Sequence, residues 1–238
     1  MNNPIIRRQL PTRRVPKHFL LPLCAYALIF SCRSEEPAAK DAKPVILLTG
    51  FEPFGKSDFN TSWNVVSKFE GKEIGGYTLK TLQLKVVYDA VEKPLQEAIE
   101  KLKPAAVISF GEGSAGLRFE LLARNGYHWQ KPKDNLGNRP PREKILPQGN
   151  GTIRSGLPVV ELFNKLNEAG IDCEVSMDAG GYLCNECFYR LMAVSGAPAM
   201  RGFVHVPVIQ PDNEAEMHKL GKSVELVLNV VAARVPKK

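Results

Sequence analysis

Three side chains in the second half of the sequence have the types that nucleophilic catalysis requires. Cys184 offers a thiol, His205 an imidazole and Glu120 a carboxylate. Cys184 follows the glycine pair of residues 180–181 and opens a predicted helix, where thiolates are stabilised and free backbone N–H groups suit an oxyanion. His205 could deprotonate this thiol and later protonate a leaving amine, while Glu120 orients the imidazole. Thiol, imidazole and carboxylate together have the logic of a catalytic triad.

Each of these residues also has a structural interpretation. A lone cysteine on a helix is commonly a buried small hydrophobe, and a histidine in a strand is commonly a hydrogen-bonded structural residue. Glu120, which precedes two leucines, would then be a surface carboxylate. Residue types and spacing leave both interpretations open.

Cys184 and Cys187 form a CxxC pair, which adds a redox hypothesis. In an oxidising compartment a disulfide between them would silence the Cys184 thiolate. The sequence holds no second ligand pair at a spacing suited to zinc, so the pair does not predict a metal site.

Phe51 and Phe54 flank Pro53 in a turn bounded by glycines. The turn is either a rigid connection with two packed aromatic rings or one side of an apolar slot for a small flat ring.

The hydrophobic pattern predicts strands and helices in alternation around these residues. Strands are predicted over 44–49, 77–87, 105–110, 173–177 and 203–206, and helices over 62–69, 90–102, 158–169, 183–192 and 213–234. Alternation of this kind predicts an α/β fold with a mostly parallel sheet covered on both faces. In such a sheet, sites collect beyond the carboxyl ends of the strands, which is where the three side chains are expected. Residues 126–155, rich in glycine, proline and charge, are predicted to form one long loop.

The first forty residues differ from the rest. Residues 1–18 carry five basic residues and no acid, an apolar run covers 19–30, and Ser31 and Cys32 close it. This resembles a lipoprotein leader in which Cys32 receives lipid; an ordinary secretory signal and an uncleaved anchor are the alternatives. We therefore expect a leader at 1–32, a tether at 33–43 and a catalytic domain at 44–238, in an exported, membrane-anchored protein. A cytoplasmic protein is the alternative.

The leader also accounts for most of the positive charge. Without its five basic residues the formal charge of +7 falls to +2, so the basic composition does not indicate nucleic-acid binding. The remaining residues suit one domain with one sizeable core.

Five sequence blocks together resemble the pyroglutamyl peptidase I family of cysteine peptidases. They are Thr49-Gly50-Phe51-Glu52-Pro53-Phe54-Gly55 with Asn60 and Ser62-Trp63; Glu120-Leu121-Leu122-Ala123-Arg124-Asn125; Asp134-Asn135-Leu136-Gly137-Asn138-Arg139-Pro140; Ala179-Gly180-Gly181-Tyr182-Leu183-Cys184-Asn185 with Tyr189; and Gly202-Phe203-Val204-His205-Val206-Pro207. The blocks stand in the family's order and span residues 49–207.

The resemblance implies a three-layer α/β/α sandwich with a twisted sheet and removal of N-terminal pyroglutamyl residues from peptides. It also implies that Cys184 is the nucleophile, His205 the general base and acid, and Glu120 the orienting carboxylate. The ring pocket is expected to be lined by Phe51, Phe54, Tyr182 and Leu183, with Asn60 as a polar pocket residue or a support for the first loop. The family needs no metal or cofactor, and many of its members are homotetramers.

The sequence departs from the family's pattern at several points. Leu121 stands where the family usually has a basic residue, and Glu112 stands where some members carry glutamine. A carboxylate at Glu112 could accept the N–H of the substrate lactam or could simply lose solvation. The turn between Gly111 and Glu120 is short, and the leader is unusual for the family. These departures keep two alternatives open: a catalytically altered or inactive surface lipoprotein used as a binding module, and a cysteine amidase for another N-terminal block.

Overall fold

A seven-stranded sheet lies at the centre of the part of the chain that the structure describes. The structure is a computed structural model in which residues 43–128, 130 and 132–236 are described. The predictions for the leader, for Cys32 and for most of the tether fall on residues 1–42 and lie outside the described residues.

The sheet contains seven of the nine strands found in these described ranges. The strands are β1 Val45–Phe51, β2 Glu73–Ile74, β3 Tyr77–Leu84, β4 Ala106–Ser114, β5 Leu117–Glu120, β6 Leu122–Arg124, β7 Thr152–Arg154, β8 Cys173–Ser176 and β9 Arg201–Pro207. The spatial order in the large sheet is β2-β3-β1-β4-β9-β5-β8, while β6 and β7 form a separate antiparallel pair. The four central strands β3, β1, β4 and β9 are parallel, as expected for strands joined through helices.

Five α-helices of the described chain cover both faces of this sheet. They are α1 Thr61–Val66, α2 Glu92–Leu102, α3 Val159–Glu168, α4 Leu183–Ala193 and α5 Glu214–Arg234; a 3-10 turn, Ser67–Phe69, continues α1. Buried residues of α1, α3 and α5 pack on one face, and those of α2 and α4 pack on the other. Successive strand residues point to opposite faces, so Ile46 and Leu48 enter the first core while Leu47 enters the second. The predicted α/β fold with a mostly parallel sheet between two helical layers is confirmed.

Two parts of the sheet differ from the sequence-based prediction. Residues 117–120 were not predicted as a strand, yet β5 pairs antiparallel with β9 and carries β8 beside it. Residues 126–155 are not one uninterrupted loop, because Thr152–Arg154 pairs with Leu122–Arg124. Both segments are only three or four residues long, too short for a hydrophobic period to identify them.

None of the helices in the described residues is long and apolar enough to cross a membrane.

Candidate active site

Cys184 lies in the first turn of α4, as the sequence predicted. The preceding turn is held by Asp178, whose Oδ1 accepts a hydrogen bond from the Gly180 N–H at 3.0 Å, while Gly180 itself adopts φ +79°. Tyr182 caps the helix in an extended conformation, and the Glu186 N–H is bonded to its carbonyl at 3.0 Å. By helix geometry the N–H groups of residues 183–185 have no carbonyl acceptor within the helix, so they can bind an anion beside Cys184.

Gly111 in β4 allows the sulfur of Cys184 to lie directly against the sheet. A methyl group at this position would stand 2.8 Å from Cys184 Sγ and 2.6 Å from the ring of Phe203. These distances are shorter than any normal contact, so a side chain at residue 111 would push the thiol out of place.

His205 and Glu120 form a buried pair on neighbouring antiparallel strands. His205 Nδ1 lies 2.8 Å from Glu120 Oε1, and both side chains are almost completely buried. Glu120 Oε2 is buried without a hydrogen-bond partner among the described residues. The carboxylate is therefore committed to the imidazole, which fixes the ring orientation and leaves Nε2 for chemistry.

The surroundings of His205 favour its charged form. Burial lowers the pKa of the imidazole, but the adjacent Cys184 sulfur and the Glu120 carboxylate together raise it to about 9. At neutral pH the His205 ring is therefore an imidazolium, with the Cys184 sulfur and the Glu120 carboxylate as its neighbours.

All six residues predicted to bind the ring line one small pocket that ends at Cys184. The pocket is lined by Phe51, Phe54, Asn60, Val86, Glu112, Tyr182, Leu183 and Cys184. Val86 is the one lining residue that sequence reasoning missed. It stands two residues past the end of β3, and no motif marks it. Two larger surface cavities, of about 570 and 610 Å³, are lined by none of these residues.

The pocket is small, with a cavity volume of about 30 Å³. The partly exposed rings of Phe54 and Tyr182 stand beside it with centroids 6.4 Å apart.

Asn60 and Glu112 support the pocket through α1. Asn60 Oδ1 accepts hydrogen bonds from the N–H and hydroxyl of Ser62, and its Nδ2 donates to the carbonyl of Glu52 at 3.1 Å. Glu112 Oε2 accepts the Thr61 N–H at 2.5 Å. Asn60 is thus mainly the N-cap of α1 and the support of the first loop, and Glu112 keeps one carboxylate oxygen engaged there.

The chain is similar in sequence to proteins of one known family. The sequence model of the pyroglutamyl peptidase family matches residues 44–236. A pyrrolidone-carboxylate peptidase of Gloeobacter violaceus is 35% identical over 198 residues, which cover 78% of this chain and 96% of that protein. The corresponding peptidase of Pyrococcus furiosus is 34% identical over 182 residues, covering 74% and 86%. This chain belongs to the pyroglutamyl peptidase family.

Solved structures of the pyroglutamyl peptidase family share the fold described above. Pyroglutamyl peptidase I of Bacillus amyloliquefaciens matches with a TM-score of 0.74 and 28% identity, over 82% of this chain and all of the other. A mutant pyrrolidone carboxyl peptidase of the hyperthermophile Pyrococcus furiosus matches with a TM-score of 0.74 and 28% identity, over 81% and 100%.

Residues 134–140, the loop block of this chain, bind the turn that carries Phe51 and Phe54. Asp134 Oδ1 accepts the N–H groups of Leu136 and Asn138 at 3.0 and 2.7 Å, which forms a tight Asx turn. Asn135 Nδ2 then donates to Glu52 Oε1 at 3.1 Å and to the carbonyl of Pro53 at 2.9 Å. The block positions the Phe51–Phe54 turn, a role that the Asp-Asn-x-Gly turn signal suggests but that sequence reasoning did not assign.

Two residues singled out from the sequence lie away from the pocket. Leu121 is half-buried against the core on the α1, α3 and α5 face. Cys187 is completely buried, and its sulfur lies 3.7 Å from Ser109 Oγ. Burial raises the pKa of Cys187 to about 12, and among the described residues Cys173, Cys184 and Cys187 are all free thiols.

Proposed function

We propose that this chain is a cysteine peptidase that hydrolyses the N-terminal pyroglutamyl residue from peptides, with Cys184, His205 and Glu120 as its catalytic residues. The observation that carries the proposal is the small ring pocket that ends at the Cys184 sulfur, beside the His205–Glu120 pair. The names of the relatives agree with this activity.

The geometry supports an acyl-transfer mechanism. The Cys184 thiolate attacks the pyroglutamyl carbonyl carbon, and the N–H groups at the start of α4 bind the oxyanion. His205, held protonated beside Glu120, transfers its proton to the departing amine nitrogen when the C–N bond breaks. The neutral imidazole then takes a proton from water, which hydrolyses the thioester and releases free pyroglutamate and thiolate.

Specificity follows from the shape and polarity of the pocket. Phe51 and Phe54 offer apolar faces to a flat five-membered ring, while Glu112 supplies a polar group at the pocket wall. A lactam presents both an N–H and a carbonyl. An N-terminal proline lacks that carbonyl and would leave polar groups of the site unpaired, which strongly disfavours binding.

The test is fluorophore release from pyroglutamyl-aminocoumarin by the reduced protein. We expect turnover by the parent protein and by Cys173→Ala, and none by Cys184→Ala. Prolyl- and glutaminyl-aminocoumarin should be poor substrates. Residual turnover in highly purified Cys184→Ala would refute the nucleophile assignment.

An inactive but folded parent protein would favour the binding-module alternative. Alkylation by iodoacetamide separates the two cases, because a thiolate paired with an imidazolium reacts quickly whereas an inert thiol does not.

We further propose that the protein is exported and anchored to a membrane through lipid on Cys32. The basic residues, apolar run and Ser31-Cys32 junction of the first 32 residues support this. Intact-mass analysis of native protein extracted from membranes tests it. An unmodified Cys32 in that material would rule out the lipid anchor, and recovery only in the soluble fraction would favour a cytoplasmic protein.

For the assembly we propose a homotetramer, supported by the family resemblance. Light scattering of the purified protein gives the molar mass in solution; a monomeric mass over the working concentration range would contradict the proposal.

A further inference from the structure

The mechanism leaves the second cysteine of the CxxC pair without a role. Cys184 and Cys187 are three residues apart on α4, so their side chains project from neighbouring positions on one side of the helix, with Cβ atoms about 5–6 Å apart. Cys184 is half-buried and Cys187 is completely buried. Cys184 is thus partly accessible to solvent, and Cys187 contacts only neighbouring protein groups.

Both sulfurs face the same strip of strand β4. Cys187 Sγ lies 3.7 Å from Ser109 Oγ, and a methyl group on Gly111 would come within 2.8 Å of Cys184 Sγ. Alternate residues of a strand point to the same face, so Ser109 and Gly111 are adjacent positions beneath α4. Gly111 has no side chain, which leaves nothing from that position to separate the two sulfurs.

We propose that Cys187 is a resolving cysteine that captures an oxidised Cys184 as an intramolecular disulfide. This role goes beyond peptide hydrolysis, and it rests on Cys184 being the reactive thiolate of the proposed function.

The oxidant is a peroxide, and the chemistry proceeds in two steps. The Cys184 thiolate attacks one oxygen of hydrogen peroxide, which breaks the O–O bond, forms a sulfenic acid and releases hydroxide. The Cys187 thiol then loses its proton and attacks the Cys184 sulfur, which forms the S–S bond and releases water. Two cysteines lose two electrons in total, and the peroxide gains them.

The first turn of α4 can accommodate this bond. A disulfide needs Cβ atoms about 3.8 Å apart, so the turn must tighten. The first intrahelical hydrogen bond runs from the Glu186 N–H to the Tyr182 carbonyl, and the N–H groups of residues 183–185 have no helical bond to lose. Cys184 also contributes to the raised pKa of Cys187, as expected for thiols close in space, although burial is the main cause.

Capture by Cys187 would protect the nucleophile. A sulfenic acid that meets a second peroxide becomes sulfinic acid, which ordinary thiols do not reduce, whereas a disulfide is reopened by them. The high pKa of Cys187 slows its attack, but proximity compensates because both groups belong to one helical turn. The enzyme would therefore pass reversibly into an inactive state instead of being destroyed.

Cys173 offers a matched control because it lies on the other face of the sheet. Its sulfur faces the carbonyl of Phe163 at 3.7 Å, and it belongs to the α1, α3 and α5 core. Cys173→Ala removes a buried thiol without touching the CxxC pair.

In the experiment, the reduced parent protein and its Cys187→Ala, Cys187→Ser and Cys173→Ala variants are treated with hydrogen peroxide. Intact mass and peptidase activity are measured before and after the treatment. For the parent and Cys173→Ala we expect the loss of two hydrogen atoms, localised to Cys184 and Cys187 by peptide fragmentation, and full recovery with dithiothreitol. For both Cys187 variants we expect normal activity before treatment, then oxygen addition at Cys184 and permanent loss of activity.

A parent protein that gains oxygen at Cys184 and forms no disulfide would overturn the proposal, as would full recovery in both Cys187 variants. The mass readout needs no peptidase activity. A disulfide formed in a protein that does not hydrolyse pyroglutamyl substrates would therefore refute the proposed function while leaving the resolving role intact.

Discussion

His205 is held between two groups that favour its charged form. Glu120 contacts Nδ1 from β5, and the Cys184 side chain also interacts with the ring. Burial alone would favour the neutral ring, so the raised pKa is the net result of two opposing effects. The same pair of contacts orients the ring and keeps it charged.

Replacing Glu120 by glutamine tests the orienting role. Glutamine keeps the size of the side chain but loses the negative charge, so the pKa of His205 should fall and the ring orientation should loosen. We expect kcat to drop by about 10²- to 10⁴-fold with the protein still folded. Steady-state kinetics and circular dichroism measure this.

Glu174→Gln is the matched control for this variant. Glu174 is an exposed carboxylate on the neighbouring strand β8 that pairs with Arg118. Its loss should leave kcat unchanged, and a similar drop in both variants would argue against a specific role for Glu120.

The pKa of His205 also predicts the pH dependence. Its value of about 9 lies above the ordinary value of 6.5, so the imidazolium is stabilised in the folded protein. This contribution to stability is complete below about pH 6.5 and is lost as pH rises through about 9. The proton donor for the leaving amine disappears over the same range, so kcat/KM should fall on an alkaline limb near pH 9. A limb near pH 6.5 would contradict the raised pKa of His205.

At the scale of elements, α4 is fixed by a charge network centred on a buried arginine as well as by its apolar face. Arg190 is 4% exposed and pairs with the carboxylates of Glu186, Asp89 and Glu92. Asp89 also pairs with Arg142 of the long loop at 2.6 Å. The network joins α4, the start of α2 and the segment between β6 and β7, so it holds the helix that carries Cys184 in a defined position.

Removing the central cation should therefore be costly. In Arg190→Met three carboxylates lose their shared partner, one of them on the fully buried Glu186. We expect the free energy of unfolding to fall by about 3–5 kcal/mol in urea denaturation at neutral pH. Lys93→Met is the control. Lys93 and Glu97 form an exposed ion pair with an N–O distance of 3.8 Å, which should contribute less than about 1 kcal/mol to the free energy of unfolding. Equal effects of the two substitutions would show that the network does not stabilise the fold.

At the scale of the whole molecule, the sheet separates two apolar cores. Residues 41–238 form one compact unit, in which α5 completes the core on one face and α4 the core on the other. The active site lies on the α4 face, and Glu112 and Asn60 connect the pocket to α1 on the opposite face.

We expect a protein of residues 41–238 to fold and to keep its activity. The two cores and the site are built from residues of this unit, so its Tm by differential scanning calorimetry should lie within a few degrees of that of the full chain. A marked loss of Tm or of pyroglutamyl peptidase activity would show that the first forty residues take part in the fold or the site.

Local sequence patterns determined much of this protein's structure. Apolar runs and one alternating segment identified the central parallel strands. Helical periodicity identified four of the five helices of the described chain, and a capping signal identified α1, because all of these signals are carried by neighbouring residues. The motif around Cys184 placed the thiol at a helix start, and the block around Phe51 and Phe54 indicated an apolar slot. The six residues expected at the ring share one pocket.

Only the tertiary structure decided how the strands pair and which polar groups meet. β5 runs antiparallel beside β9, and this pairing brings Glu120 to His205; four residues of sequence do not specify a partner. Val86 enters the pocket, and Arg190 meets carboxylates about a hundred residues earlier in the chain. Such contacts depend on the packing of distant segments, and neither residue type nor local period encodes them.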